Sequence, residues 1–435
     1  MINKYRFLIN SISILLIFYS GLYMSITQLL AFIGYPQGTF PIKSIFVLIL
    51  LITLFFLSIK NLQIKTALLK KTSFYIFMLI IFIESVLLVV IYNLPIKYIL
   101  FTLYDSWMSF FIILLIILSL DQNNIKIIHF NRIYEIFTLL YIPIIFLGTI
   151  QYLTNEQILP ISRANFIING EIRVYSFFNS PKALGIFSIL LFYMNMIKIK
   201  LTLNSYKKTL YVILMFICIF SIYITKVRGI YILFMGSLFF YFSMQFFSLF
   251  MNIKNILKLH YAVVIGSISI IILMINIVLN LDLGHGIFNI YSLLDRFHFW
   301  SILFSKLEMT WTHIIFGFGL VQNDGSVNIV NQTFGDNIYI MDNTYLQIFF
   351  WGGLLTLFYF FYIFLKINNL LIKLYIFPLT KLEKQIILII LSLSLSNLFL
   401  FLFSRSLPEY LFLVYLPGVI MIKFLKGKYN CKVKR

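Results

Sequence analysis

The chain has 435 residues, of which 61% are hydrophobic and only 11% are charged, and its 34 Lys and Arg against 14 Asp and Glu give a formal charge of +20. A soluble domain carries roughly 25% charged residues. The composition therefore excludes a soluble globular protein and predicts an integral membrane protein.

Apolar windows of transmembrane length follow one another along the whole chain. About 20 apolar residues suffice to cross a bilayer, and twelve such windows occur, at 7–30, 42–59, 73–93, 98–120, 133–153, 181–199, 209–225, 228–250, 260–281, 343–366, 386–404 and 409–426. An even number of spans places both termini on one side. We predict an all-α integral membrane protein in which residues 1–435 form a single polytopic domain of about 12 transmembrane helices.

The distribution of basic residues predicts the orientation of these spans. With the N-terminus inside, 24 of the 34 Lys and Arg fall on the inner side and 10 on the outer side. Loops rich in Lys and Arg remain cytoplasmic, so we expect both termini in the cytoplasm. The Lys-rich tail then faces anionic lipid, and we expect no nucleic-acid partner.

The two sides also differ in the kind of basic residue that they carry. The inner side has 21 Lys and 3 Arg, whereas the outer side has five Arg, namely Arg163, Arg173, Arg228, Arg296 and Arg405. Topology requires only charge, while the planar guanidinium binds phosphate or carboxylate through two parallel hydrogen bonds. The asymmetry indicates an anion site at the outer face. The alternative is chance, because the numbers are small.

The first enlarged outer loop covers about 154–180 and leads into the sixth span. Asn179 and Ser180 are good helix caps, and Pro181 suits a first helical turn. In this topology the helix begins at the outer face with a partial positive end. Arg173 and Lys182 add full charges, so the loop is suited to an anionic head group. The alternative is a solvated connector with ordinary arginines.

The turn between the seventh and eighth spans places Lys226 and Arg228 on the side that should be poor in cations. Snorkelling of Arg228 to lipid phosphate is one explanation. The other is an anion site that lies between the helices.

The second enlarged outer loop, 282–342, contains the longest polar segment of the chain. A helical stripe within it predicts an amphipathic helix on the outer leaflet, formed by Leu293, Phe297, Trp300, Phe304, Leu307 and Trp311. Arg296 lies near the positive end of this helix, which favours an anion there. His298 belongs to a set of histidines without metal-ligand spacing, so we expect neither a metal nor a cofactor.

The remaining candidates flank the last three spans. Asp342 is most simply the N-cap of the tenth span. Asn397, Arg405 and Glu409 fall near the outer side, where they are expected to line the same cavity.

Four motifs, in chain order, resemble the bacterial O-antigen polymerase and O-antigen ligase family, and the third of them consists of two segments. Arg173 to Gly185 resembles its R-x-x-G-x-F-x-N-P-N-x-L-G pattern and 227–229 its S-R-G element. Residues 296–300 are similar to its R-x-x-x-W helix, and residues 317–319 to the G-x-G break that follows. Residues 342–346 are similar to its H/D-N-x-Y-L helix start. All lie on the predicted outer side, within residues 170 to 366.

The chain departs from the family pattern at three places. Tyr175 and Ser176 stand where small residues are usual, and Val227 replaces the usual Ser. Asp342 occupies the position where the ligase branch has a histidine. This last difference favours a polymerase over a ligase and leaves the general base open.

The resemblance implies a metal-independent glycosyltransferase of the bacterial inner membrane that acts on polyprenyl-diphosphate-linked oligosaccharides at the outer face. It would transfer a growing glycan of a capsule or O-antigen polysaccharide to the acceptor sugar of a lipid-linked repeat unit. Arg228 and Arg296 would clamp the diphosphate leaving group, and Asp342 would position or deprotonate the acceptor. Arg173 would bind a second diphosphate or the glycan. The further substrate-binding candidates are Lys182, Asn179, Trp300, His298, Asn343 and Arg405.

Two other functions remain open at this point. One is an O-antigen-type ligase that moves finished glycan to another acceptor. The other is a flippase or transporter of lipid-linked oligosaccharides, which would bind at mid-membrane through interrupted helices. The 19 Gly of the chain and the outer position of its Arg residues favour the enzyme. A flippase and a chain-length regulator of the same pathway are further partners that the resemblance suggests.

Overall fold

The computed structural model describes residues 130–156, 158, 167–168, 171–176, 178, 180–250, 311–316, 344–375 and 379–403, together with 414, 418, 421, 422 and 425. The predicted spans before residue 130, the ninth span and most of the second outer loop lie outside these residues. Seven helices and two short strands occur in the described part: α1 Phe130–Thr154, β1 Ile167–Ile168, β2 Glu171–Ile172, α2 Pro181–Leu201, α3 Ser205–Ile224, α4 Arg228–Phe250, α5 Trp311–Phe316, α6 Thr344–Tyr375 and α7 Lys381–Phe403.

Five helices of the described part are long and apolar enough to cross a membrane, at Tyr134–Thr154, Pro181–Leu201, Ser205–Ile224, Arg228–Phe246 and Gly353–Tyr375. The first four coincide with the predicted fifth, sixth, seventh and eighth spans, and Gly353–Tyr375 overlaps the predicted tenth span, 343–366. The prediction of an all-α membrane protein is therefore confirmed. The total of twelve spans stays a prediction, because much of the chain lies outside the described residues.

The helices differ in how much of their surface faces outward. α2 has 67% of its apolar window buried, and residues 391–398 of α7 are all buried. α1, α3, α4 and α6 instead expose large apolar side chains, among them Phe146, Phe216, Phe239 and Phe358. Such exposed apolar faces suit lipid as the surrounding medium, since a soluble protein rarely exposes large contiguous ones. α2 and α7 thus form the interior of the described bundle.

The start of α2 agrees with its sequence signals. Ser180 is extended, with φ −155°, and its hydroxyl accepts a hydrogen bond from the Ala183 amide at 3.2 Å. Pro181 is the first helical residue. The predicted cap and proline start are both confirmed.

The largest extensions of helices beyond their apolar windows occur at the end of α6 and the start of α7. α6 continues past the predicted end at 366 to Tyr375, and α7 begins at Lys381 rather than at 386. The polar residues here lower hydropathy but do not interrupt the backbone hydrogen bonds of a helix. At α7 the Thr380 amide donates to Glu383 Oε2 at 2.7 Å and the Glu383 amide donates to Thr380 Oγ1 at 3.3 Å. This reciprocal capping box sets the true start.

Polar contacts show that successive helices alternate in direction. Lys198 near the end of α2 donates to Asn131 near the start of α1 at 2.7 Å. At the opposite end, Tyr345 near the start of α6 donates to the Leu398 carbonyl of α7 at 2.9 Å. We call the end where α2, α4 and α6 begin the arginine end, and the end where α2 and α6 finish the lysine end.

Candidate functional site

A short extended segment, residues 171–176, holds Arg173 at the arginine end. Glu171 and Ile172 pair with β1 in an antiparallel hairpin, with Ile168 opposite Glu171. The Ile172 amide donates to Asn155 Oδ1 at 2.8 Å, and the Val174 amide donates to the Ile224 carbonyl at 3.2 Å. Ile172 and Val174 are both buried. Since side chains alternate along an extended chain, Arg173 points away from this buried face.

The segment ends in a tight turn at Ser176. This residue has φ 56°, in the left-handed region, and it is fully buried. Its amide donates to Gln151 Oε1 at 2.7 Å, and its hydroxyl donates to the Ile144 carbonyl. Glycine adopts this backbone conformation at little cost, which explains why the resembled pattern has Gly at this position. Here a hydroxyl and a buried glutamine stabilise the turn instead.

We expect Ser176→Gly to be more stable than Ser176→Ala by about 1 kcal/mol, because both lose the hydroxyl but only Ala retains the left-handed strain. The thermal unfolding midpoint of the purified protein in detergent measures the difference. Equal midpoints for the two variants would contradict the left-handed turn.

Arg228 begins α4 directly after the turn that leaves α3. Lys226 in this turn has φ 50°, and its ammonium lies 5.8 Å from the ring centroid of Tyr152. The Val227 carbonyl accepts from the Ile230 and Tyr231 amides at 3.0 and 3.3 Å, but its side chain offers no acceptor. Without a side-chain cap, the first amides of α4 add a partial positive charge beside exposed Arg228.

The two arginines lie close enough to influence each other. Partial burial lowers the pKa of Arg173, the positive charge of Arg228 lowers it further, and Tyr231 acts in the opposite direction. Arginine remains protonated under such a shift, so the two guanidinium charges repel each other. Among the side chains that the structure describes, which do not include that of Glu171, no carboxylate acts on the charge of Arg173. A bound anion would relieve both the desolvation and the repulsion.

A close helix contact brings the beginnings of α2 and α4 together. A Cβ atom added at Gly185 would lie 2.5 Å from Ile230 Cγ2 and 2.9 Å from its Cγ1. Because Gly185 has no side chain, the backbones of α2 and α4 lie closer together than any larger residue at this position would allow. This contact holds Lys182, in the first turn of α2, at the same end as Arg228.

Of the predicted site residues, the structure describes three, Arg173, Arg228 and Lys182, and places all three at the arginine end. The others lie outside the described residues, so their positions stay predictions: Asn179, Arg296, His298, Trp300, Asp342, Asn343 and Arg405. Asn397, which was expected to line a cavity, is fully buried, and its amide donates to the Leu393 carbonyl of its own helix at 2.7 Å.

Sequence reasoning missed the residues that position Arg173. Gln151 is a fully buried amide within an otherwise apolar span. A single glutamine in such a span was the sequence signal that could have identified it. Asn155, with φ 57°, follows the last residue of α1 and carried no signal beyond its residue type. Tyr231 stands one turn into α4 and looked like part of its apolar run.

No metal site is found in the described part of the chain, where no three His, Cys, Asp or Glu side chains are grouped closely enough to hold an ion. The chain matches no protein-family model and no curated protein sequence.

Proposed function

We propose that the protein is a polysaccharide polymerase of the bacterial cytoplasmic membrane. It transfers a growing glycan from polyprenyl diphosphate to the acceptor sugar of a lipid-linked repeat unit. The observation that carries the proposal is the convergence of Arg173 and Arg228 at one end of a membrane-helix bundle, where the positive charge of Arg228 acts on Arg173. The exposed diphosphate of a lipid-linked substrate is an anion that these two arginines can bind.

The chemistry of the transfer explains why guanidinium groups are suited to this end. The acceptor hydroxyl attacks the anomeric carbon, its proton passes to a base, and the bond to the polyprenyl diphosphate breaks. Negative charge accumulates on the leaving diphosphate in the transition state. Preorganised donors aimed at this charge stabilise the transition state more than the ground state. Two fork-shaped guanidinium groups can each form paired hydrogen bonds with phosphate oxygens.

Lys182 and residues outside the described part complete the proposed mechanism. Arg296 joins Arg228 on the diphosphate, and Asp342 positions or deprotonates the acceptor hydroxyl. Asn179, Lys182, His298, Trp300, Asn343 and Arg405 contribute to binding of the glycan and the lipid-linked substrates. The arginine end faces the outside of the cell, where a flippase delivers repeat units and a chain-length regulator limits the product.

Deletion of the gene followed by analysis of lipid-linked glycans tests the proposal. We expect single repeat units to accumulate on the outer leaflet, and a plasmid copy of the gene to restore long chains. Full-length chains that remain on the lipid would instead indicate a ligase. Repeat units retained on the inner leaflet would indicate a flippase, and an unchanged glycan profile would overturn all three functions.

A further inference from the structure

A second cationic cluster lies at the opposite end of the bundle from the arginines. Lys200, in the last turn of α2, donates from Nζ to the Tyr241 hydroxyl at 2.6 Å and to Gln385 Oε1 at 3.2 Å. The Tyr241 hydroxyl also donates to Gln385 Oε1. Three helices, α2, α4 and α7, therefore hold one half-buried ammonium in a fixed position by means of neutral partners.

The charge of Lys200 is not balanced within the described part of the chain. Its two described acceptors use two of its three protons. Lys381, one turn before Gln385 in α7, brings a second positive charge close to it. The carboxylate of Glu383, near the start of α7, accepts from the Thr380 amide. The third Lys200 proton thus has no acceptor among the described residues.

Neighbouring groups extend the positive character of the cluster. Lys384, one turn into α7, lies with its ammonium 5.8 Å from the ring centroid of Tyr375 at the end of α6. A half-buried ammonium near a second one is costly unless an anion is present, because like charges raise each other's energy most strongly where water is scarce. A phosphate group between Lys200 and Lys381 would accept the third proton and reduce this repulsion.

The position of the cluster identifies the source of the phosphate. It lies at the ends of membrane-crossing helices, and the loop and helix start beside it expose Leu203 and Tyr206 almost completely, at 97% and 81%. Aromatic and apolar side chains at such ends mark the membrane interface, where lipid head groups lie. We propose that Lys200, Lys381, Tyr241 and Gln385 form a binding site for the phosphate of an acidic phospholipid.

Binding of defined lipids to the purified, delipidated full-length protein tests this site. Native mass spectrometry counts bound phosphatidylglycerol, with phosphatidylcholine and inorganic phosphate in parallel. We expect phosphatidylglycerol to bind preferentially, and Lys200→Gln and Lys381→Gln each to weaken its binding about tenfold, since a hydrogen bond between charged groups is lost. Lys381 is exposed, so its variant should fold even if the Lys200 variant does not.

The matched control is Lys208→Gln, which removes an exposed lysine of α3 at the same end of the bundle. We expect it to leave phosphatidylglycerol binding unchanged. An equal loss in this control would overturn the site in favour of diffuse attraction between the membrane and all lysines. Equal binding of phosphatidylcholine, or undiminished binding by the Lys381 variant, would also overturn it. If inorganic phosphate saturates the site and displaces the lipid, the ligand is free phosphate and the proposal of a phospholipid is wrong.

Discussion

Arg228→Lys and Arg173→Lys are each expected to reduce polymer formation by about tenfold to a hundredfold at unchanged protein level. Lysine retains the charge but loses the fork that binds two phosphate oxygens together. A hydrogen bond between charged groups contributes roughly 1.5–3 kcal/mol, and each 1.4 kcal/mol corresponds to about a factor of ten in rate. A site that needed only positive charge would tolerate both substitutions.

Glycan length in the deletion strain, complemented with each variant, measures this effect. Arg132→Lys is the matched control, because Arg132 lies in the first turn of α1, at the opposite end from Arg173 and Arg228. We expect it to support normal polymer. Near-normal chains from both the Arg228 and the Arg173 variants would contradict a diphosphate clamp at the arginine end.

Gly185→Ala is expected to have the largest effect on folding. The new methyl group would lie 2.5 Å from Ile230 Cγ2, which is far inside van der Waals contact. Both residues belong to long helices, so neither backbone can yield locally, and overpacking of this kind costs about 1–3 kcal/mol. Because the same contact positions the starts of α2 and α4, we expect polymer formation to fall together with the thermal unfolding midpoint.

A second substitution distinguishes steric overlap from other causes of this loss. Ile230→Ala removes the Cγ2 methyl group and the Cγ1 methylene group, which lie nearest the added Cβ atom. The double variant Gly185→Ala, Ile230→Ala should therefore be more stable than the sum of the two single effects predicts. Residues in direct contact deviate from additivity in this way. Strictly additive losses would show that Gly185 and Ile230 do not pack against each other.

The sequence by itself determined the class of the protein and the location of its described spans. Apolar length is a local property, because a helix must satisfy its own backbone groups inside a bilayer whatever lies beside it. The start of α2 was equally predictable, since Ser180 and Pro181 act on the first turn of the same helix. The windows differ most from the helix bounds where polar residues continue a helix, as at the end of α6 and the start of α7.

Only the tertiary structure decided which polar residues meet. The sequence placed Arg173 and Arg228 on the same side of the membrane, but only the tertiary structure joins their segments, through the Val174 amide that donates to the Ile224 carbonyl of α3. Lys200 and Gln385 are 185 positions apart, and no periodicity in either helix connects them. Such contacts depend on which helix faces pack together, and packing is a property of the whole chain. Hydropathy and helix caps contain no information about it.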